Sequence, residues 1–449
     1  MKRRFLGWVF LAVLLAAGTV QISSAPGDRM IGINVVLNAD IVPYHLSVLG
    51  QYGKVRDIVY EIQGVTLQAP ESALPEVQRL PFVLAANPDA ERQGAPIDTV
   101  AATNFANGLS TWDLDAINVT DYWFNNRQVA YDGTGVYVAV LDTGLLDSWR
   151  QYFPQERIAE EYAKSFGGGG GLNGAVSEQP NKWEHDQNSH GTHVTSTILG
   201  YKFGGNPVNG VAPMAKVIPV KVLNQNGSGW SSVIARGIVY VADLKAGPLA
   251  GNPVVINMSL GGGRLDAVEK AAIDYAIAKG VIIVASAGNG GNYGMGYPGA
   301  YAPVISVGAS GWVGEWTSGS WWYANVPDPT NPADFYVGSF SARQKANQDL
   351  DVLAPGTWVV GPYQVNSGQI SYYYLQGTSM SSPHVAGIVA LMAQKNAALT
   401  AAQAESILEA SAIYLAPGSR TVAGVTYTWG ADATGAGLAT ADAALAQTP

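Results

Sequence analysis

The chain has 449 residues, of which 47% are hydrophobic, and a formal net charge of -9 at pH 7. This length supports a large buried core and more than one folding unit. The acidic balance argues against nucleic acid or an anionic membrane as a partner, since both bind basic patches. The absence of cysteine excludes disulfides, thiolate metal sites and cysteine nucleophiles.

The N-terminus has the layout of a secretory signal peptide. Basic residues at positions 2–4 precede an apolar run at 5–17, and small residues follow up to Ala25. The run is short for a bilayer span, although a membrane anchor is the alternative because Pro26 is awkward directly after a cut. We predict that residues 1–25 are a signal peptide and that the protein is secreted and extracellular, with no membrane contact after signal cleavage.

Residues 30–90 have the pattern of a small α+β unit with its own core. The predicted order is strand 33–38, helix 43–51, strand material 55–67, helix 71–80 and strand 82–86. Residues 91–111 lack periodicity and are rich in small and polar side chains, which predicts a linker that a peptidase can cut.

From Trp112 onward, apolar strands alternate with helices. Strands are predicted at 136–141, 217–222, 254–258, 281–285 and 304–307, and helices after His190, at 233–246, at 267–279 and after Ser379. This order predicts an α/β fold with a mainly parallel central sheet covered on both faces. Ligand sites of such folds collect at the carboxyl ends of strands, where Asp142 and Asn289 stand.

Two segments interrupt the alternation. Residues 167–171 are consecutive glycines, and we interpret them as a flexible surface loop because neither a lysine nor a helix start follows to bind phosphate. Residues 312–335 contain four tryptophans and three prolines. We interpret them as a surface loop folded on its own aromatic rings, with a rim of a substrate groove as the alternative.

Ser379 follows a glycine and a threonine and stands at the start of a long apolar helix, where a nucleophile would sit. A lone serine there is usually a helix cap, so catalysis requires a base and an oxyanion site elsewhere. His190 opens a helix, while Asp142 and Asn289 each follow an apolar run. Either of the last two is by itself a plausible turn residue, but the coincidence of all four favours catalysis.

A zinc site is the alternative for the histidines. His190 and His193 are three positions apart, and Glu184 and Asp186 lie nearby in the sequence. The helical HExxH pattern is absent, so we expect His193 to be a packed structural residue, and metal ligands stay unknown.

Five segments from Trp112 to the C-terminus resemble motifs of the subtilisin-like serine peptidases of family S8. They are residues 139–144, 188–194, 257–262, 287–290 and 377–387. The resemblance implies a three-layer subtilisin-like fold and a serine endopeptidase that works through an acyl-enzyme and needs no cofactor for the chemistry. Ser379 is then the nucleophile, His190 the general base and Asp142 the residue that orients the imidazole. The Asn289 side chain and the Ser379 backbone N–H donate to the oxyanion.

The resemblance also implies where a polypeptide substrate binds, as a strand added between two backbone edges. The residues that it assigns to substrate binding are Ser228, Gly229, Ser259, Leu260, Gly261, Gly288 and Gly296. Gly296 stands at the floor of the first specificity pocket and leaves it open, which predicts a large apolar or aromatic residue before the cut.

Residues 30–90 resemble the inhibitory propeptide of this family, which implies an intramolecular inhibitor and folding template of the peptidase domain at residues 112–449. Residues 201–207 occupy a stretch that holds calcium in many members of the family. The resemblance therefore implies that structural calcium is possible, but it assigns no ligand in this chain. Two alternative functions stay open. One is a subtilase-fold protein that cleaves only its own linker and acts as a binding or regulatory protein, and the other is acyl transfer to an amine.

Overall fold

The structure, a computed structural model, describes residues 28–102, 110–121, 126–167, 178, 180–203, 206–323, 325, 326, 331–366 and 368–449. The predicted signal peptide at residues 1–25 and most of the glycine run at 167–171 lie outside the described residues. Within those ranges, no helix combines the length and apolar character that crossing a bilayer requires.

Residues 30–88 form an antiparallel sheet with two short helices. Its elements are β1 (Met30–Leu37), α1 (Pro43–Leu49), β2 (Lys54–Val59), β3 (Gly64–Pro70), α2 (Leu74–Gln78) and β4 (Val83–Pro88). The strand order is β2-β3-β1-β4. Alternate strand residues such as Ile33, Val35 and Leu67 bury their side chains against Leu49 and Val77 of the helices, and so form a separate core.

The segment that follows this unit contains two strands, which its composition did not predict. β5 (Glu91–Gln93) pairs antiparallel with Ser228–Trp230, and β6 (Asp98–Ala101) pairs antiparallel with Tyr372–Gln376. Strands this short contain too few positions for a visible alternation, and both partners are far away in the sequence. Residues 103–109 of the predicted linker lie outside the described part of the chain.

The strands and helices predicted from Trp112 onward are all present, together with further elements that the sequence did not indicate. The strands are β7 (Tyr137–Asp142), β8 (Lys164–Ser165), β9 (Tyr201–Phe203), β10 (Asn206–Val208), β11 (Lys216–Lys221), β12 (Ser228–Trp230), β13 (Val254–Met258), β14 (Val281–Ser286), β15 (Ile305–Trp312), β16 (Phe335–Val337), β17 (Val352–Pro355), β18 (Val359–Pro362), β19 (Tyr372–Gln376), β20 (Gly418–Val422) and β21 (Val425–Trp429). The helices are α3 (Trp112–Asp115), α4 (His190–Leu199), α5 (Ser231–Ala246), α6 (Ala267–Ala278), α7 (Thr378–Lys395), α8 (Ala401–Ser411) and α9 (Ala441–Gln447).

A mainly parallel sheet of eight strands lies at the centre, in the order β16-β15-β14-β13-β7-β11-β8, with β17 also paired to β15. Val138 and Val140 of β7 belong to the apolar cluster that contains α4 and α7, whereas Ala139 and Leu141 belong to the cluster that contains α5 and α6. Successive residues of one strand thus contact helices on opposite faces, which confirms the predicted three-layer α/β fold.

Three of the four tryptophans of residues 312–335 are buried rather than arranged as a surface loop. Trp312, Trp321 and Trp322 are 9%, 1% and 2% exposed and belong to the main core. The ring of Trp321 lies 5.1 Å from that of Tyr374 and 4.7 Å from that of Trp316, measured between centroids. The segment therefore packs on the sheet layers as well as on its own rings, because each indole removes a large apolar area from water.

Candidate active site

The structure places Asp142 at the end of β7 beside His190 at the start of α4. His190 Nδ1 lies 2.9 Å from Asp142 Oδ1 and 3.0 Å from Oδ2, and both side chains are buried. Because a carboxylate only accepts, Nδ1 is the donor, which makes Nε2 the accepting nitrogen of a neutral imidazole. His190 Nε2 has no hydrogen-bond partner among the described residues. This is the tautomer and orientation that a general base requires.

A second polar layer fixes the backbone around this pair. Asp186 Oδ2 accepts from Thr143 Oγ1 at 2.7 Å and from Ser189 N at 2.8 Å, and Thr143 Oγ1 accepts from Gly191 N at 2.9 Å. The Lys221 ammonium donates to the Thr143 carbonyl. Burial raises the pKa of Asp186 to about 6. The sequence showed Asp186 only as a polar loop residue, and its position behind β7 is a result of the tertiary structure.

The remaining histidines near His190 have other partners. His193 Nε2 lies 3.1 Å from the Val359 carbonyl, and His185 Nδ1 lies 2.8 Å from Asp147. These hydrogen bonds direct His193 and His185 to Val359 and Asp147, and not to Asp142 or His190.

Ser379 is the second residue of α7 and its side chain is buried. Its Oγ donates to the Ser259 carbonyl at 3.2 Å. Gly94 adjoins both the Ser259 carbonyl and the His190 ring, since a Cβ on it would stand 2.8 Å from the Ser259 oxygen and 3.3 Å from His190 Cε1. No hydrogen bond joins Ser379 Oγ to His190 Nε2 among the described residues.

The Asn289 amide is held with its nitrogen towards the groove. Its Oδ1 accepts from the backbone N–H and the hydroxyl of Thr378, both at 2.9 Å. Its Nδ2 is thereby left to face the Ala95 carbonyl at 3.5 Å. Thr378 was not predicted as a site residue, although it stands next to Ser379 in the same motif, and its contacts explain how the amide keeps its orientation.

Residues 91–95 lie in the groove as an added strand. Gln93 and Gly261 exchange backbone hydrogen bonds of 3.0 and 2.9 Å, and Gly94 N donates to the Gly227 carbonyl at 2.8 Å. On the other side, Ser228 and Gly229 of β12 pair with β5. The predicted substrate edges therefore flank a segment of the chain itself.

A cavity of about 490 Å³ opens beside Ser379 and Asn289. Three of the predicted substrate residues line it: Gly261, Gly288 and Gly296. The sequence missed Gln348, which also lines the cavity and holds the Met295 backbone by bonds of 2.9 and 3.0 Å. The other four predicted residues do not line this cavity. The Leu260 side chain is buried in the core, Ser259 contacts α7, and Ser228 and Gly229 pair with β5.

Two buried polar contacts attach the segment that directly follows the N-terminal sheet, residues 89–92, to the helices of the central domain. Asp89 caps α5 through Ser232, with bonds of 3.0 Å from its backbone N–H and 2.6 Å from its hydroxyl. Burial raises the pKa of Asp89 to about 6. Arg92 pairs with Glu269 of α6, with 3.0 Å between Nε and Oε1, and both side chains are fully buried.

Three carboxylates elsewhere in the described residues have the arrangement of a cation site. Oxygen atoms of Asp349, Asp351 and Glu405 all lie within 4.8 Å of one another. Asp351 Oδ2 accepts from Ser306 N at 2.6 Å, whereas the buried Oδ1 has no hydrogen-bond partner among the described residues. Burial, together with neighbouring acids, raises the pKa of Asp351 to about 8 and of Glu405 to about 7. An unsatisfied oxygen among like charges suits a hard divalent cation.

Comparison with known proteins agrees with this geometry. The model of the subtilase family matches residues 133–440. Subtilisin DY of Bacillus licheniformis is 34% identical over 289 residues, which cover 64% of this chain and 86% of that protein. The thermostable alkaline protease of Halalkalibacterium halodurans is 31% identical over 364 residues, covering 80% of this chain and 81% of that protein.

Fervidolysin from Fervidobacterium pennivorans, a keratinolytic enzyme related to subtilisin, has the same fold in its crystal structure. The TM-score is 0.67 at 24% identity, and the match covers 95% of this chain but 63% of fervidolysin. The family match over most of the chain and the relatives above 30% identity lead to one conclusion: this chain belongs to the subtilase family and is a subtilisin-like serine endopeptidase that acts on polypeptides.

Proposed function

We propose that the protein is a secreted peptidase made as a zymogen, with Asp142, His190 and Ser379 as its catalytic triad. Ser379 Oγ attacks the scissile carbonyl while His190 Nε2 takes its proton, and the acyl-enzyme forms when His190 returns that proton to the leaving amine. Water then releases the acyl group by the same steps in reverse. Asp142 stabilises the imidazolium that forms in each half of the reaction.

The oxyanion of each tetrahedral intermediate would be bound by Asn289 Nδ2 and the backbone N–H of Ser379. The observation that carries the proposal is the Ala95 carbonyl, which faces Asn289 Nδ2 at 3.5 Å while its strand is bonded to Gly227 and Gly261. A carbonyl in the place of a scissile bond supports this assignment of donors and of substrate edges.

Residues 30–90 would act as the propeptide, and residues 91–111 as the segment that is cut. The unit has its own sheet and core, and β5 fills the groove between β12 and Gly261. These features support an intramolecular inhibitor. A preformed unit that docks on α5 and α6 also supports a template role, because a parallel sheet folds slowly from non-local pairings.

The groove supports a preference for a large apolar or aromatic residue before the cut. Gly261, Gly288 and Gly296 leave a cavity of about 490 Å³, far more than the methyl group of Ala95 occupies. A profile from a peptide library that is dominated by Lys and Arg, or by Ala and Gly, would refute this preference.

Calcium would be held by Asp349, Asp351 and Glu405 and would have a structural role away from the reacting atoms. Added calcium should raise the thermal midpoint of the full chain, and the double change Asp351→Asn and Glu405→Gln should abolish that rise. An equal rise in both proteins would place the cation elsewhere.

Expression of the full chain beside Ser379→Ala, followed by N-terminal sequencing and casein assays, tests the function. Processing within residues 91–111 in the parent alone, with casein turnover and stoichiometric labelling of Ser379 by a fluorophosphonate, supports the peptidase. Sequencing also shows whether the cut is the aligned Ala95–Pro96 bond. Labelling without turnover of casein favours the alternative of a protein limited to self-processing, and absence of labelling refutes the proposed nucleophile.

A further inference from the structure

The carbonyl of Ser379 lacks the partner that a helix normally supplies. In an α-helix this oxygen accepts from the N–H four residues later. That residue is Pro383, which lies inside α7 and has no N–H to donate. The nucleophile is therefore in a first helical turn whose backbone would be held less firmly than that of a regular helix.

The structure supplies a substitute donor from another element. Ser259 Oγ donates to the Ser379 carbonyl at 2.8 Å, from a loop that follows β13 and is 120 positions away in the sequence. Both residues are buried, at 0% and 3% exposure. Water is thus largely excluded from replacing this bond, and the loss of a buried bond costs more than that of an exposed one.

Two further side chains fix the Ser259 hydroxyl. Asn257 Nδ2 donates to Ser259 Oγ at 3.1 Å, and Asn257 Oδ1 accepts from Ser382 Oγ at 2.6 Å. Because Asn257 Nδ2 supplies a proton to Ser259 Oγ, the hydroxyl proton of Ser259 is directed to the Ser379 carbonyl. The chain of bonds begins and ends on α7 and closes across the end of β13.

We propose that the Ser259 hydroxyl is a positioning residue that replaces the helix donor lost at Pro383 and fixes the peptide plane of the nucleophile. The proposal rests on the proposed role of Ser379. The Ser379 carbonyl is bonded to the same Cα that carries Oγ and the N–H assigned to the oxyanion. A shift of the carbonyl therefore displaces both groups, so the bond acts on the transition state rather than on peptide binding. A change of the Ser259 side chain keeps its backbone carbonyl in place at the substrate edge. Peptide binding should therefore be unchanged, and KM serves as an internal reference.

The first test is Ser259→Ala, with Ser381→Ala as the matched control. Ser381 is on the same turn of α7 and fully buried, but its hydroxyl has no partner among the residues described. In the processed enzyme, Ser259→Ala should lower kcat and the rate of fluorophosphonate labelling about tenfold, with KM within about twofold, since one buried neutral hydrogen bond is lost. Ser381→Ala should change each quantity less than about twofold. A kcat for Ser259→Ala equal to that of the control would overturn the proposal.

The second test is a double-mutant cycle with Pro383→Ala, which restores an N–H four residues after Ser379. In the Pro383→Ala background, Ser259→Ala should lower kcat less than about twofold, because the helix now supplies the donor. An equal loss in both backgrounds would show that Ser259 acts through something other than this carbonyl.

The same cycle in the Ser379→Ala protein, measured by urea unfolding, gives a readout that does not depend on activity. Ser259→Ala should lower the urea midpoint more in the chain that keeps Pro383 than in the chain that carries Pro383→Ala. If this coupling is seen although the fluorophosphonate does not label Ser379 in the parent protein, the hydrogen bond is as described and only the assignment of Ser379 as the nucleophile is wrong. Absence of coupling in both readouts overturns the inference.

Discussion

Among the described residues, two buried histidine–aspartate pairs are alike in composition and differ in what the second ring nitrogen contacts. His190 and Asp142 stand at the groove, and His384 of the nucleophile helix α7 pairs with Asp113 of α3. His384 Nε2 lies 2.9 Å from Asp113 Oδ2, and its Nδ1 lies 2.8 Å from the Met380 carbonyl. Both partners are acceptors, so each ring nitrogen of His384 already has a hydrogen-bond partner.

The comparison shows that a buried carboxylate beside an imidazole is not by itself a catalytic pair. His190 uses one nitrogen for Asp142 and keeps the other without a partner among the described residues, next to Gly94 in the groove. His384 has no nitrogen left to accept a proton and instead ties α7 to α3. The difference can be tested by changing equivalent members of the two pairs.

The largest effect is expected for His190→Ala. Without a base, the Ser379 hydroxyl keeps its proton, and kcat for a chromogenic peptide should fall on the order of 10⁶-fold, which is the size known from subtilisin itself. The variant also leaves the buried Asp142 without its partner, so its urea midpoint should lie below that of Ser379→Ala, and kcat is compared under conditions in which both proteins are folded. A fall of less than about tenfold would remove His190 from the proton transfer.

Asp142→Asn is the next largest, with Asp113→Asn as its matched control. The amide favours the wrong imidazole tautomer, so kcat should fall on the order of 10⁴-fold, as is known for the buried aspartate of serine peptidase triads. Asp113→Asn should retain kcat per fluorophosphonate-labelled site within about threefold, because His384 takes no part in proton transfer. Comparable losses in both variants would contradict the distinction between the pairs.

Asn289→Ala removes one donor to the oxyanion while both histidine pairs stay intact. We expect kcat to fall roughly 100- to 1000-fold with little change in KM, again the size known for subtilisin. Peptide hydrolysis at saturating substrate gives the measurement. The pH dependence should keep its shape, and a changed shape would point to an indirect effect on His190.

His384→Leu should affect stability rather than chemistry. It leaves Asp113 buried without its partner, and the free energy of unfolding should fall by about 3 kcal/mol. Urea unfolding in the Ser379→Ala background avoids self-digestion during the measurement. His384→Gln can still donate to one acceptor and should lose less, whereas equal losses would indicate that packing volume, not hydrogen bonding, is responsible.

The smallest effect is expected for His193. This histidine is buried, but it is assigned neither to proton transfer, as His190 is, nor to a hydrogen-bonded pair between helices, as His384 is. Burial lowers the pKa of His193 from 6.5 to about 3. The unfolded chain therefore binds one more proton between those values, and stability should fall by about 1 kcal/mol per pH unit as the pH drops through that window. His193→Gln should reduce the slope of unfolding free energy against pH by that amount between pH 6 and 4. An unchanged slope would place the acid sensitivity elsewhere.

The sequence predicted the longer strands and most of the helices because long apolar runs and helix starts are local signals. The strand that ends at Asp142 and the helix that begins at His190 were both found in this way. The short strands β5 and β6 were missed, since a strand of three or four residues is specified by its distant partner. The tryptophans of residues 312–335 were placed on the surface, although burial of large rings in the main core is favoured.

The amino-acid sequence by itself determined the α/β class, the family motifs and the identity of the four residues proposed for catalysis. Only the tertiary structure decided that His190 Nε2 has no hydrogen-bond partner in the described part of the chain, that Ala95 occupies the groove and that Ser259 replaces the donor missing at Pro383. The physical reason is that strand and helix patterns depend on neighbouring residues. Hydrogen bonds between side chains on different elements depend instead on how the layers pack, which no local pattern contains.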